Sequence, residues 1–336
     1  MSVTLKPLEQ QTIVITGATS GNGLATVREA ARRGASLVLA ARNAEALEEI
    51  AEELRATGAR VATCTADVAS DEDIERIAQT AMEAFGGFDT WVNDAAAAMY
   101  GRMDEIPMGD RRRVFDVNYF GVLKGSLVAA DHLREKGGAI INVGSVLSDR
   151  SMILQGAYSA TKHAVKAATD ALRMELQRDG APISVTLIKP AAMHTPYPEH
   201  ARNYMDKPAR LPPILYDPRL VAEAILFAAE HPRRQLYVGG NGYLISLGGR
   251  FAKRASDAAM KALGRRLQTD KDQPAPPATR DNLYEPREDG SIDGHQDYYV
   301  RRTSLFLEAQ KWPALTLLTA AAGLGLLLLP RWGRTS

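Results

Sequence analysis

Two hydrophobic patterns alternate along the chain. Short runs rich in β-branched and aliphatic residues, apolar on both faces, read as buried strands. They are Thr12-Ile-Val-Ile-Thr16, Ser36-Leu-Val-Leu-Ala-Ala41, Arg60-Val-Ala-Thr-Cys-Thr65, Thr90-Trp-Val-Asn93, Ala139-Ile-Ile-Asn-Val-Gly-Ser145, Ile183-Ser-Val-Thr-Leu-Ile-Lys189 and Gln235-Leu-Tyr-Val238. Between them lie stretches of helical period: Leu24 to Arg33, Ala44 to Ala56, Asp71 to Phe85, 108 to 135, a stretch around Tyr158 to about Gln177, and Pro218 to Glu230. Regular strand–helix alternation predicts an α/β domain, a parallel sheet of about seven strands with helices on both faces, over residues 1–250. A helical extension over 251–268 follows. Residues 269–297 are polar, rich in proline and without period, and read as a linker. Residues 298–336 begin with a short helix and end in an apolar one.

Composition adds little and excludes much. Over 336 residues, 41 Lys plus Arg balance 40 Asp plus Glu at a net charge of +1, with no basic block to attract nucleic acid. Cys64 is the only cysteine, which excludes an intrachain disulfide and suits a reducing compartment. The histidines and this thiol show no metal-ligand spacing, so no metal is expected. The N-terminus lacks a signal-peptide pattern. From Trp312 to Pro330 the chain carries no charge. As a helix, nineteen residues reach about 28 Å, near the thickness of a bilayer core. With Trp312, Trp332, Lys311, Arg331 and Arg334 around it, this segment is a candidate single-pass anchor. The expected location is the cytoplasm or the cytoplasmic side of a membrane, and a helix packed on the body or on a second subunit is the other reading.

Candidate chemistry begins at Tyr158 and Lys162, four residues apart and so on one face of a helix. A cation beside a phenol favours the phenolate and brings an acid/base into the neutral range. Ser145, at a strand end, is placed to bond the same substrate oxygen. After the first strand, Gly17, Gly21 and Gly23, with Ser20 and Asn22 between them, form a turn before a helix. Such a turn lets backbone N–H groups and a helix N-terminus meet a pyrophosphate. At the end of the second strand no acid stands at Ala40 or Ala41, while Arg42 is placed for a 2′-phosphate, favouring NADP over NAD.

Thr16-Gly17-x-x-x-Gly21-x-Gly23, Ser145 and Tyr158-x-x-x-Lys162, in this order, resemble the short-chain dehydrogenase/reductase family over about residues 8 to 248. The resemblance implies a Rossmann-type doubly wound sheet and an NAD(P)-dependent oxidoreductase. It implies that Tyr158 is the acid/base, that Ser145 polarises the carbonyl, and that Lys162 lowers the tyrosine pKa and holds the nicotinamide ribose. Asn118 matches the residue that steadies a relay water. Asp67 and Val68 match the adenine contacts, Asn93 begins the motif after the fourth strand, and Pro190 and Thr195 match the nicotinamide clamp. The chain departs from the pattern at Asn93-Asp94-Ala95-Ala96, where Asn-Asn-Ala-Gly is usual, at Pro190-Ala191, where Pro-Gly is usual, and at Asn22. The long stretch 191–217 is a candidate lid, with Met193, Tyr197, Tyr204, Met205, Leu211, Ile214 and Leu215 as candidate pocket residues. The partner implied is a small hydrophobic carbonyl or alcohol, and family assembly suggests a homodimer or homotetramer. A silent nucleotide-binding sensor or scaffold, and an epimerase or dehydratase using the same Tyr/Lys pair, are the competing functions.

Overall fold

The computed structural model describes residues 3–270, 281–287 and 290–312, together with Thr316. Among the described residues, the seven strands of the main sheet are β1 (Thr12–Thr16), β2 (Ser36–Ala41), β3 (Val61–Thr65), β4 (Thr90–Asn93), β5 (Gly138–Val143), β6 (Ile183–Pro190) and β7 (Gln235–Val238). They form one sheet in the order β7-β6-β5-β4-β1-β2-β3, every neighbouring pair parallel. β1, β4, β5 and β6 are apolar on both faces because both are covered.

On one face lie α1 (Gly21–Arg32), α2 (Ala44–Ala56) and α7 (Arg219–Glu230), whose Leu24, Val27, Leu47 and Ile225 meet Ile13, Ile15 and Leu39. On the other lie α3 (Asp71–Phe85), α5 (Gly121–Leu133) and α6 (Gly156–Arg178), which bury Ile74, Ile77 and Leu172 against Val14, Val38 and Ile140. Asn43 and Ser70 cap α2 and α3 by accepting the N–H groups of Ala46 and Asp73. The expected helix over 108–135 is in fact α4 (Met108–Phe115), a wide π-turn (Asp116–Phe120) and α5. Beyond the sheet come α8 (Gly240–Phe251), not foreseen from the sequence, α9 (Lys253–Gln268) and α10 (Leu305–Lys311). α10 covers the open edge of the sheet, where Gln310 exchanges two 2.9 Å hydrogen bonds with the Tyr237 backbone.

Strand order fixes where a ligand can lie. From β1 the chain builds outward to β2 and β3, then returns to place β4 on the other side of β1. The crossovers diverge there and leave a crevice at the carboxyl ends of β1 and β4. Thr16 stands level with Ala40 and Asn93 at that rim.

One expectation is corrected and one falls largely outside the described residues. The described part of 269–297 is no loose linker, because it lies along the crevice rim with Leu283 and Ile292 buried. Its polar groups bond specific partners on the core, a pattern that hydrophobic periodicity does not register. Among the described residues no helix is long and apolar enough to cross a membrane. Apart from Trp312 and Thr316, the candidate anchor 312–330 lies outside the described residues.

A buried ion pair fixes the turn that follows β5. Lys189, 1% exposed, bonds Asp149 at 3.1 and 3.0 Å, and the Tyr237 hydroxyl donates to Asp149 at 2.8 Å. Burial opposes the Asp149 charge, but bonds from Lys166, Tyr237 and Lys189 outweigh it and hold the carboxyl down at about 2. Since this lies below the unfolded value, the stabilisation is complete above about pH 4 and is lost as the pH falls toward 2. Asp149→Asn should cost about 3 kcal/mol in urea unfolding at neutral pH, by stranding a buried ammonium. The gap to the unsubstituted protein should narrow in acid.

Candidate active site

A cleft of about 620 Å³ runs from the β1–α1 turn to Tyr158, within the range of cofactor sites. Gly17, Ser20, Gly21 and Asn22 line one end of it. Gly17 holds φ +71°, and a Cβ there would lie 2.8 Å from the Ala95 backbone, so only glycine closes this turn onto the β4 loop. Gly23 does not line the cleft. A Cβ on it would stand 2.0 Å from the Gly17 carbonyl, so its part is to seat α1 under the turn. Thr195 lies against Gly21, and Pro190, ending β6, lines the same cleft.

At the other end α6 presents Tyr158 and Lys162 on its buried face. Ser145 follows β5 with its hydroxyl accepting the Leu147 N–H at 3.0 Å, which fixes its direction. The hydroxyls of Ser145 and Tyr197 stand beside the Tyr158 phenol. Burial, aided by the Asp94 carboxylate, pushes the phenol above its ordinary value, and these two hydroxyls act the other way. Asn118 stands behind the site in the π-turn, bonding the Ala97 N–H at 2.7 Å, the Ala97 carbonyl at 2.9 Å and Thr161 at 3.1 Å. It holds the floor of the cleft without lining it. A π-turn inside a helical stretch is a frequent mark of a functional position.

Lys162 differs from expectation. Its ammonium, 5.6 Å from the Tyr158 ring centre, donates to the Val143 carbonyl at 2.8 Å and faces Asp94. Burial lowers Lys162 to about 8, with Asp94 opposing that shift. Burial likewise raises Asp94 to about 7, tempered by Lys162 and the Gly23 N–H. The lysine charge is balanced by the aspartate before it reaches the phenol. The departure in the β4 loop therefore places an anion beneath the cleft, and it is Asp94 that engages Lys162.

Asn93 is also corrected. Its amide bonds Asn142 at 2.8 Å and Ser126 at 3.1 Å, and it accepts from Trp91 at 2.8 Å, all within the core. It ties β4, β5 and α5 together and does not line the cleft. Asp67 and Val68 do line it, with Asp67 held by Arg113 and by the Ala69 N–H at 3.0 Å. Arg42 lines the cleft and donates to the carbonyls of Asn282 and Tyr284. Of the candidate lid, Met193, Tyr197, Leu211 and Ile214 line the cleft, while Tyr204, Met205 and Leu215 pack elsewhere. Tyr204 bonds Asp110 instead.

Sequence reasoning missed a buried polar chain. From Tyr158 it runs through Tyr197, whose hydroxyl donates to Gln155 at 2.9 Å, to Gln268, which accepts from Gln155 at 2.7 Å. Isolated glutamines give no sequence signal for such a chain. Also missed were Asn282, Pro286 and Arg287, contributed to the cleft wall by the C-terminal extension. The Oδ1 atoms of Asn22 and Asn282 are buried without a hydrogen-bond partner, and both residues line the cleft. Unpartnered polar groups beside a glycine turn at the switch point fit a dinucleotide, which would supply donors to them.

The short chain dehydrogenase family matches residues 11–205. An uncharacterized oxidoreductase, YxnA, of Bacillus subtilis is 42% identical over 94% of this chain and 90% of its own length. Dehydrogenase/reductase SDR family member 7B of Bos taurus is 37% identical over 54% of this chain and 58% of its own. An alcohol dehydrogenase of Thermococcus sibiricus, solved with 5-hydroxy-NADP, has TM-score 0.60 and 27% identity, covering 68% of this chain and 95% of that one. A short-chain dehydrogenase/reductase of Burkholderia phymatum, solved with NAD, has TM-score 0.63 and 26% identity, covering 81% and 99%. With sequence and fold agreeing over the whole sheet, the chain belongs to the short-chain dehydrogenase family, the oxidoreductases that act on CH–OH groups with NAD(P).

Proposed function

We propose that the protein interconverts a carbonyl and an alcohol on a hydrophobic substrate, with NADP(H) as coenzyme and Tyr158 as acid/base. The observation that carries this reading is the phenol itself, buried in a dinucleotide-sized cleft beside the Ser145 and Tyr197 hydroxyls. The coenzyme supplies or accepts the hydride. In the reducing direction Tyr158 gives its proton to the substrate oxygen, and Ser145 donates a hydrogen bond to the same oxygen. While Tyr158 is protonated its hydroxyl donates to Tyr197, which donates to Gln155. When Tyr158 ionises, the Tyr197 proton turns to the phenolate and stabilises it.

Met152, Met193, Leu211, Ile214, Leu244 and Ile245 line the mouth and support an apolar substrate. The missing acid at the end of β2 and the place of Arg42 at the adenosine end favour NADP(H). Exposed Phe120, Leu127 and Met174 on the π-turn, α5 and α6 support a homo-oligomer.

Net oxidation of NADPH over a panel of ketones and aldehydes tests the reading. No turnover on any of them would favour a sensor, and conversion without net NADPH loss would favour an epimerase or dehydratase. Tyr158→Phe should lower kcat at least about 100-fold and leave the NADPH Kd nearly unchanged. Tyr197→Phe should lower kcat about tenfold and raise the pH at which the oxidative reaction gains its base. Coenzyme affinity should fall as the pH rises from about 6 to about 8, as Asp94 gains its negative charge and Lys162, lowered to about 8, loses its positive one. Fluorescence titrations at about pH 6 and about pH 8 should show this loss for the unsubstituted protein and a flatter response for Asp94→Asn.

A further inference from the structure

The C-terminal extension crosses the mouth of the cleft as a strap. At the adenosine end Arg42 donates to the carbonyls of Asn282 and Tyr284, Arg113 donates to Leu283 at 3.0 Å, and the Asn43 amide donates to the Arg287 carbonyl at 2.9 Å. At the glycine turn the Gly290 N–H donates to Thr19 at 2.8 Å, and the Gly21 N–H donates to the Ser291 carbonyl at 2.9 Å. Toward the lid the Asn282 N–H donates to His200 at 2.9 Å and the Gly294 N–H donates to His194 at 3.1 Å. Leu283 and Ile292, both buried, join separate apolar clusters of the body and hold the strap at two places.

Arg287 has a distinct position in this strap. Its backbone is fixed at Asn43 on one wall, while its guanidinium reaches the Glu199 carbonyl on the opposite wall. The Tyr197–His200 helical turn that carries Glu199 follows directly on Thr195, which packs against Gly21. The side chain therefore spans the cleft over the glycine turn, and it lines the cleft. Arg42 and Arg287 are the guanidinium groups that line the cleft among the described residues.

We infer that Arg287 is a coenzyme ligand supplied by the C-terminal strap, with its guanidinium on the pyrophosphate, while Arg42 serves the 2′-phosphate. This rests on the dinucleotide reading given above. A planar fork of N–H donors matches the oxygens of a phosphate. The Gly21 N–H, at the N-terminus of α1, is a donor that a phosphate oxygen takes readily. Here the Ser291 carbonyl takes it, so coenzyme binding exchanges that carbonyl for phosphate and shifts the strap.

The test is the dissociation constant of NADPH and of NADH, read from coenzyme fluorescence with the full chain. Arg287→Ala should weaken both about tenfold or more and by similar factors, and Arg287→Lys should recover part of the loss. Arg42→Ala should weaken NADPH alone. Unchanged constants for Arg287→Ala would overturn the inference, as would a loss confined to NADPH, which would move Arg287 to the 2′-phosphate. Hydrogen exchange over 281–294 should change when NADPH binds, and an unchanged pattern would contradict a strap that touches the coenzyme. If the unsubstituted protein bound neither dinucleotide, the functional reading and this inference would both fall. If it bound them and Arg287→Ala bound them equally well, only this inference would.

Discussion

An ammonium kept out of water is the constraint around which the cleft is arranged. Lys162 is 2% exposed, and a buried charge of that kind persists only with partners. The chain supplies two from different strands, the Val143 carbonyl at the end of β5 and Asp94 just beyond β4. Both strand ends must then lie level and close to α6, which the parallel register β1–β4–β5 provides. Tyr158, one helical turn before Lys162, is carried into the same dry pocket. Ser145 is delivered there by the turn that Asp149 and Lys189 anchor. Sheet, ion pair and phenol are parts of one arrangement.

Asp94 changes how that arrangement works. With an asparagine in its place the lysine charge would act more fully on the phenol. With aspartate the pair is internally balanced, and Tyr158 stays above its ordinary value until something else shifts it. A positively charged nicotinamide in the cleft is such a group, and the hydroxyls of Ser145 and Tyr197 are already in place to receive the phenolate. The strap brings a second guanidinium, Arg287, to a cleft that Arg42 also lines.

Most of the sheet was legible because buried parallel strands leave unbroken apolar runs. The face shared by Tyr158 and Lys162 was legible because the helical period is fixed. Asn93 was misplaced because a motif position does not say which way a side chain turns. At the end of β4 it turns into the core, among Trp91, Ser126 and Asn142. The strap was missed for a physical reason. It is held by backbone carbonyls meeting Arg42, Asn43 and the glycine turn, and only Leu283 and Ile292 anchor it by apolar burial, too few to set a period. Helix α8, with four glycines in Gly240–Phe251, carried too weak a propensity to stand out.

The most direct test of the central claim is a spectroscopic titration of the phenol. Tyr158 is pushed up in the cleft without coenzyme, so its near-ultraviolet phenolate band should emerge only at high pH. Saturating NADP⁺ should move that band to distinctly lower pH, and the shifted component should vanish in the phenylalanine variant at position 158. A phenolate titration that is the same with and without NADP⁺, in a protein shown to bind it, would contradict the account.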